Sequence, residues 1–381
     1  MKLPRNPKRV CSRIGLALFL FAVIYLGGSV VISVVILARW PGIMQNMLVF
    51  WVINDTPLYL IALPVFLLVL KGVPEAPAEE RTPMKMTAGK YLLLLVFCLG
   101  TTYLLSMVTS GLSALADMAK NRASQTDSLT EVVAGGGTLI NFIFVACIPA
   151  LGEEFIFRYM LKRKLNGAGD AVYMVVSGLT FGLFHMNILQ FYFAFALGMA
   201  LAWVYAQTGK FWIPVSLHFA VNFTNGVAIP AIAENQAASM AVGAGIFVLM
   251  AAALVIFFVC RKRVLAGLAR PFEAGWAPQW GQTLAQLVYG HPQAAGPLAY
   301  APYAGMPQAG APAVYPAAYA PVNAESLPMA PAGSWPAAAP VALYAPPRKK
   351  QKTVAGLCFL NVGMLLYLVL TGLITVISAA M

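Results

Sequence analysis

Acidic residues are scarce in this chain: 13 Asp and Glu among 381 residues, against 25 Lys and Arg, with only 3 His and 5 Cys. Charged residues make up 10% of it, where a soluble domain carries roughly 25%, and that shortage excludes a water-soluble globular fold. The cysteines (Cys11, Cys98, Cys147, Cys260, Cys358) stand singly in or beside apolar runs with no CxxC. Their spacing excludes a disulfide framework and a cysteine-rich metal site, and they read as small buried hydrophobes. No GxSxG elbow occurs, no Cys neighbours a His, and HExxH is absent, so serine, cysteine and helical zinc-protease signatures are all missing. Nor do period-two strands recur between turns, which excludes a membrane barrel.

What is abundant is apolar: 60% of the residues are hydrophobic. Runs near or above the roughly 20 residues that span a bilayer as helix cover Ile14 to Ala38, Met47 to Leu70, Tyr91 to Thr109, Thr138 to Leu161, Ala171 to Met186, Ile188 to Ala206, Phe211 to Ile229, Met240 to Cys260 and Val354 to Ala380. They predict an all-α integral membrane protein, a transmembrane bundle of about nine helices. The first run follows a basic start, is long and lacks a small-x-small cleavage site, so it reads as a retained anchor.

The net charge of +12 follows topology and implies no nucleic-acid partner. Basic residues collect in alternate loops: the N-terminus; Lys71, Arg81, Lys85 and Lys90; Arg158, Lys162, Arg163 and Lys164; Lys210; Arg261, Lys262 and Arg263; and Arg348 to Lys352. The positive-inside bias places these in the cytoplasm, giving a multi-pass cell-membrane protein with its N-terminus cytoplasmic and its C-terminus outside. The loop Gly111 to Val133 would lie outside and could carry a short interfacial helix. Between Arg270 and Arg348 the composition shifts to Pro, Ala, Gly and Tyr, with AYAP twice. That stretch is expected to be a disordered or polyproline-like cytoplasmic tether to the last helix, with a proline-recognising protein as a possible partner.

Against this apolar background, Glu153 and Glu154 lie side by side within the bilayer, near the cytoplasmic end of their helix by the charge count. A carboxylate there costs about 3 kcal/mol by insertion scales and needs a partner or a purpose. Arg158 stands one helical turn from Glu154 and can pair with it; Glu153 is left over. Two of the three histidines, His185 and His218, also fall in apolar segments, and Asn222 shares a face with His218. Each alone would be an ordinary satisfied core residue. Together they have the chemistry of a hydrolytic site: a carboxylate to take a proton from water, imidazole to orient that water, Asn and His to donate to an oxyanion. Pro149 should loosen the helix just before the carboxylates. Asn54, Asp55 and Pro57 make another polar break, with Asp55 lining the cavity or sitting at its outer mouth.

The pattern Glu-Glu-x-x-x-Arg (Glu153, Glu154, Arg158), Phe-x-x-x-His (Phe181, His185) and His-x-x-x-Asn (His218, Asn222) resembles the CPBP intramembrane proteases, also called the CAAX-protease or Abi family, over roughly Thr138 to Ile229. The resemblance implies a peptidase acting on membrane-bound peptide or protein substrates, prenylated in eukaryotic relatives. It implies Glu153 as the general base, His185 as a holder of the water, His218 and Asn222 as oxyanion donors, and Glu154 with Arg158 shaping the site. The family has been described both as metal-dependent and as a metal-free glutamate protease. Zinc on Glu153, His185 and His218 plus water would be a permissible open site; the metal-free version is preferred because Asn222 is a poor zinc ligand. The expected domains are N-terminal helices and loops over 1–137, the family-like catalytic core over 138–263, the linker over 264–352 and a C-terminal helix over 353–381. Two rivals are an ion-coupled transporter, which inverted repeats would favour and none is visible, and a catalytically silent scaffold working through its linker.

Overall fold

The computed structural model describes residues 7–75, 82–121, 128–267 and 358–380, all belonging to one compact unit, Met1–Val288 with Lys352–Met381. All their regular structure is helical. We number the helices α1 Pro7–Arg39, α2 Met47–Lys71, α3 Ala88–Ala119, α4 Ser128–Gly136, α5 Thr138–Ala168, α6 Asp170–Phe184, α7 Ile188–Thr208, α8 Trp212–Ile232, α9 Gln236–Gly267 and α10 Val362–Ala380. Among the described residues seven are long and apolar enough to cross a membrane, while α6 and α10 are apolar but shorter. Among the described residues every predicted run contains a helix, yet two of these helices fall short of an independent span. The expected linker lies outside the described residues from 268 onward, and residues 264–267 complete α9. The predicted outer loop is shorter than expected, since α3 runs on to Ala119 and α4 follows from Ser128.

Local signals set the helix ends. Asn46, Thr87 and Asn187 cap α2, α3 and α7 with side-chain oxygens that accept from the first free amides. Gly209 closes α7 in the left-handed conformation (φ 64°). The two runs within 171–206 are α6 and α7, joined through Met186 at a φ of 50°.

The starts of α1, α3, α6 and α10 and the ends of α2, α5 and α7 meet at one basic end. The Arg13 guanidinium lies against Gly72, the Met84 amide donates to the Gln207 carbonyl at 2.7 Å, and Lys162 pairs with Asp170 at 2.6 Å. Arg163 pairs with Glu75 at 2.6 Å, and this hydrogen bond holds the Glu75 carboxyl below the usual carboxylate range. Lys164 donates to the Val73 carbonyl at 2.9 Å.

Helix α10 is packed into the bundle. A Cβ on Gly363 would lie 1.8 Å from the Ser12 carbonyl oxygen, and one on Gly15 would lie 2.1 Å from the Met364 nitrogen. Only paired glycines permit so close a crossing, the small-residue mode of membrane helices. Farther along α10, the buried Tyr367 hydroxyl donates to the Thr180 carbonyl of α6 at 2.5 Å.

Wide turns interrupt three spans: Pro57–Ala62 in α2, Phe142–Cys147 and Phe155–Met160 in α5, and Thr224–Ala228 in α8. Such bulges accompany functional sites more often than plain helix does. Those of α5 bracket the two glutamates.

Candidate active site

Glu153 stands 15 residues from either end of Thr138–Ala168, about 22 Å at the helical rise. It is thus midway along its helix, not near the basic end as the sequence suggests. The difference arises because α5 continues past Leu161 through Lys162, Arg163 and Lys164, whose charges are met by Asp170, Glu75 and the Val73 carbonyl. Charge therefore does not mark the end of this helix.

The adjacent glutamates are placed differently. Glu154 and Arg158 are completely buried and paired at 3.1 Å from Oε2 to Nε, one turn apart as their spacing requires. Glu154 Oε1 accepts from His218 Nδ1 at 2.9 Å. Glu153 is 15% exposed, and its Oε2 lies 3.7 Å from His218 Nε2, beyond direct hydrogen-bond length and suited to a bridging water. Because a carboxylate can only accept, Nδ1 of His218 carries a proton and Nε2 is the nitrogen turned toward Glu153.

Phe181 organises the rest. The Arg158 guanidinium carbon lies 4.3 Å from its ring centroid, and the rings of His185 and His218 meet it edge-on at 4.9 and 5.7 Å. His185 lies at the C-cap of α6, in the turn before α7, with Nδ1 2.9 Å from the Phe181 carbonyl oxygen. That carbonyl must accept, so Nδ1 carries a proton, and in the neutral ring Nε2 can accept from water. On the same face of α6, Ser177 donates to the Phe157 carbonyl at 2.7 Å and Tyr173 to the Arg158 carbonyl at 3.3 Å. These hydroxyls bond to carbonyls of the wide turn beyond Glu154 and satisfy them inside the bundle.

Asn222 is half-buried on α8 and donates from Nδ2 to the Val145 carbonyl of α5 at 3.1 Å. One of its amide hydrogens is therefore engaged. Asp55, whose place the sequence left open, belongs to the Glu153 surroundings: Asp55, Tyr59 and Tyr25 of α1 all lie within electrostatic reach of that carboxylate. Tyr59 approaches because Gly152 lacks a side chain; a Cβ there would sit 2.3 Å from the tyrosine ring. The two tyrosines escaped the sequence reading, although the spacing of Asp55 and Tyr59, one turn apart, and the glycine before the Glu-Glu pair were visible signals.

A metal finds no ready set of ligands. Among the described residues no group of three or more His, Cys, Asp or Glu is arranged to hold an ion. Glu154 binds Nδ1 of His218 and a backbone carbonyl faces Nδ1 of His185, so Nε2 is the remaining nitrogen of each ring. Glu153, His185 and His218, the donors suggested for zinc, are not gathered into such a group.

Residues 135–224 match the family described as type II CAAX prenyl endopeptidase Rce1-like. No curated protein matches the chain, and no solved structure does. The matched stretch runs from α4 to just past Asn222 and contains Glu153, Glu154, Arg158, Phe181, His185, His218 and Asn222. Over residues 135–224 the chain is thus similar to the CPBP, or CAAX-protease, family that its motifs resemble.

Proposed function

We propose that the chain is an intramembrane endopeptidase that hydrolyses peptide bonds of membrane-associated substrates with water activated by Glu153 and without a metal. The observation that carries this reading is the pairing pattern: Glu154 is held by both Arg158 and His218, while Glu153, partly exposed, faces Nε2 of His218 across 3.7 Å.

In this mechanism Glu153 removes a proton from water as the oxygen attacks the scissile carbonyl carbon, and His185 Nε2 accepts the water's second hydrogen. The carbonyl oxygen becomes an oxyanion. His218 donates to it as imidazolium, a charge that Glu154 faces, and the second Nδ2 hydrogen of Asn222 is the other donor. Collapse breaks the C–N bond, and the proton held by Glu153 passes to the leaving amine. The catalytic core is the segment 138–263, and the basic end faces the cytoplasm with the N-terminus, in keeping with the positive-inside bias.

The matched family is named for prenyl substrates, so a prenylated peptide embedded in nanodiscs is the first substrate to offer, beside a non-prenylated transmembrane peptide. Cleavage by the purified protein that is lost in Glu153→Gln and retained in a zinc chelator supports the proposal. Equal cleavage by wild type and Glu153→Gln overturns the assignment of the base, and loss in chelator overturns the metal-free mechanism.

A further inference from the structure

Asn222 reaches across from α8 to the Val145 carbonyl of α5, its Nδ2 donating at 3.1 Å. In an unbroken helix that carbonyl would accept from the amide four residues on. The residue four on is Pro149, which has no amide hydrogen. The gap falls where the wide turn Phe142–Cys147 gives way to Ile148–Glu154, one turn before Glu153. On α8, Gly226 lies one turn past Asn222, and a Cβ there would come within 2.7 Å of the Val145 side chain. The two helices therefore touch where one has a carbonyl that Pro149 cannot serve and the other a donor beside a bare backbone.

We infer that Pro149 is a positioning residue for Asn222: by freeing the Val145 carbonyl it supplies the acceptor that fixes the asparagine amide. An asparagine amide has two hydrogens. With one bound to Val145, the other is held in a fixed direction for the substrate's carbonyl oxygen, and donors fixed in advance stabilise a developing charge without reorganising. The catalytic consequence rests on the peptidase reading above, but the contact between Val145 and Asn222 does not.

Pro149→Ala tests this. Alanine restores an amide that competes for the Val145 carbonyl, and as the better helix former it should leave the fold intact. The expected result is a kcat lowered about tenfold to a hundredfold, as misplacement of a catalytic donor produces, with KM changed less than about twofold. Thermal stability in detergent should be equal or higher. In an Asn222→Ala background the same substitution should cost nothing more, because the two act as one unit. A wild-type kcat in Pro149→Ala, or the same fold loss in both backgrounds, overturns the inference. A readout independent of turnover is solid-state NMR on protein with isotope-labelled valine carbonyls and asparagine side chains. The contact that vanishes in Asn222→Ala should also vanish in Pro149→Ala, and its persistence there overturns the inference even if Asn222→Ala shows no measurable rate. Should wild type cleave no substrate, the peptidase reading fails while the NMR comparison still decides the positioning.

Discussion

His218 Nδ1 and Arg158 Nε share one carboxylate: Glu154 Oε1 lies 2.9 Å from the first and Oε2 lies 3.1 Å from the second. This arrangement assigns unequal tasks to two glutamates that are neighbours in sequence. Glu154 joins α5 to α8 and fixes the orientation of the imidazole, as an outer-shell carboxylate does for a working histidine. Successive helical residues point about 100° apart, so Glu153 cannot share that partner set, and it alone keeps exposure enough to meet water.

Removing Arg158 should therefore damage the fold before it damages the chemistry. Arg158→Met leaves the fully buried Glu154 without its cation, and breaking a buried pair from one side costs about 3–5 kcal/mol. Arg158→Lys should not rescue it, because an ammonium lacks the planar fork whose carbon sits over the Phe181 ring. Thermal unfolding in detergent checks both. A double variant, Glu154→Gln with Arg158→Met, should be more stable than Arg158→Met alone, since no orphaned charge remains.

A second prediction concerns the approach of Tyr59. A Cβ at position 152 meets the ring at 2.3 Å and the hydroxyl at 2.9 Å, so Gly152→Ala must push α2 and α5 apart beside Glu153. Overpacking of this kind costs about 1–3 kcal/mol, and cleavage should fall with it. Adding Tyr59→Ala should return most of the stability, because the space for the new methyl group is then open. Melting curves of the single and double variants decide whether the clash lies where the structure puts it.

The sequence carried the architecture because lipid imposes it: each long apolar run had to become a helix, and each did. The family motifs were legible for a related reason, since Glu153, Glu154, His185, His218 and Asn222 are polar in a medium that penalises polarity. The extent of α5 was harder to read. Lys162, Arg163 and Lys164 look like the end of a helix until Asp170, Glu75 and the Val73 carbonyl are seen beside them, and those partners come from other parts of the chain. The role of the Val145 carbonyl was invisible because a backbone acceptor has no letter in the sequence; only Pro149 hinted at it. Tyr25 and Tyr59 looked like ordinary aromatics of apolar runs, and only the packing of α1 and α2 brings them near Glu153.

The basic end should respond to acid in a definite direction. Hydrogen bonding to Arg163, with the charges of Arg163 and Lys164 nearby, depresses the Glu75 carboxyl. A carboxyl lowered in the folded state adds stability above its unfolded pKa and loses it as pH falls through the folded one. Both partners are more than a third exposed, so the contribution belongs with surface pairs, under about 1 kcal/mol. Glu75→Gln should melt slightly below wild type at neutral pH, and the difference should vanish as acid protonates the folded-state carboxyl. A gap that widens on acidification would contradict this.

The docking of the last helix offers the sharpest structural check. Cys11 of α1 and Cys358 just ahead of α10 are buried with their sulfur atoms 3.2 Å apart, though 347 positions separate them in sequence. A small rotamer change brings such a pair to the roughly 2 Å of a disulfide. Treatment with a copper–phenanthroline oxidant, which takes two electrons while the thiols release two protons, should therefore join them. With a specific protease site inserted between residues 270 and 348, the cleaved chain should migrate as one species until a reductant is added. Gly363→Leu should abolish this link, because its side chain would enter the space of the Ser12 carbonyl and hold α10 away from α1. If wild-type protein does not cross-link, or Gly363→Leu cross-links equally well, α10 does not dock on α1 through its glycines.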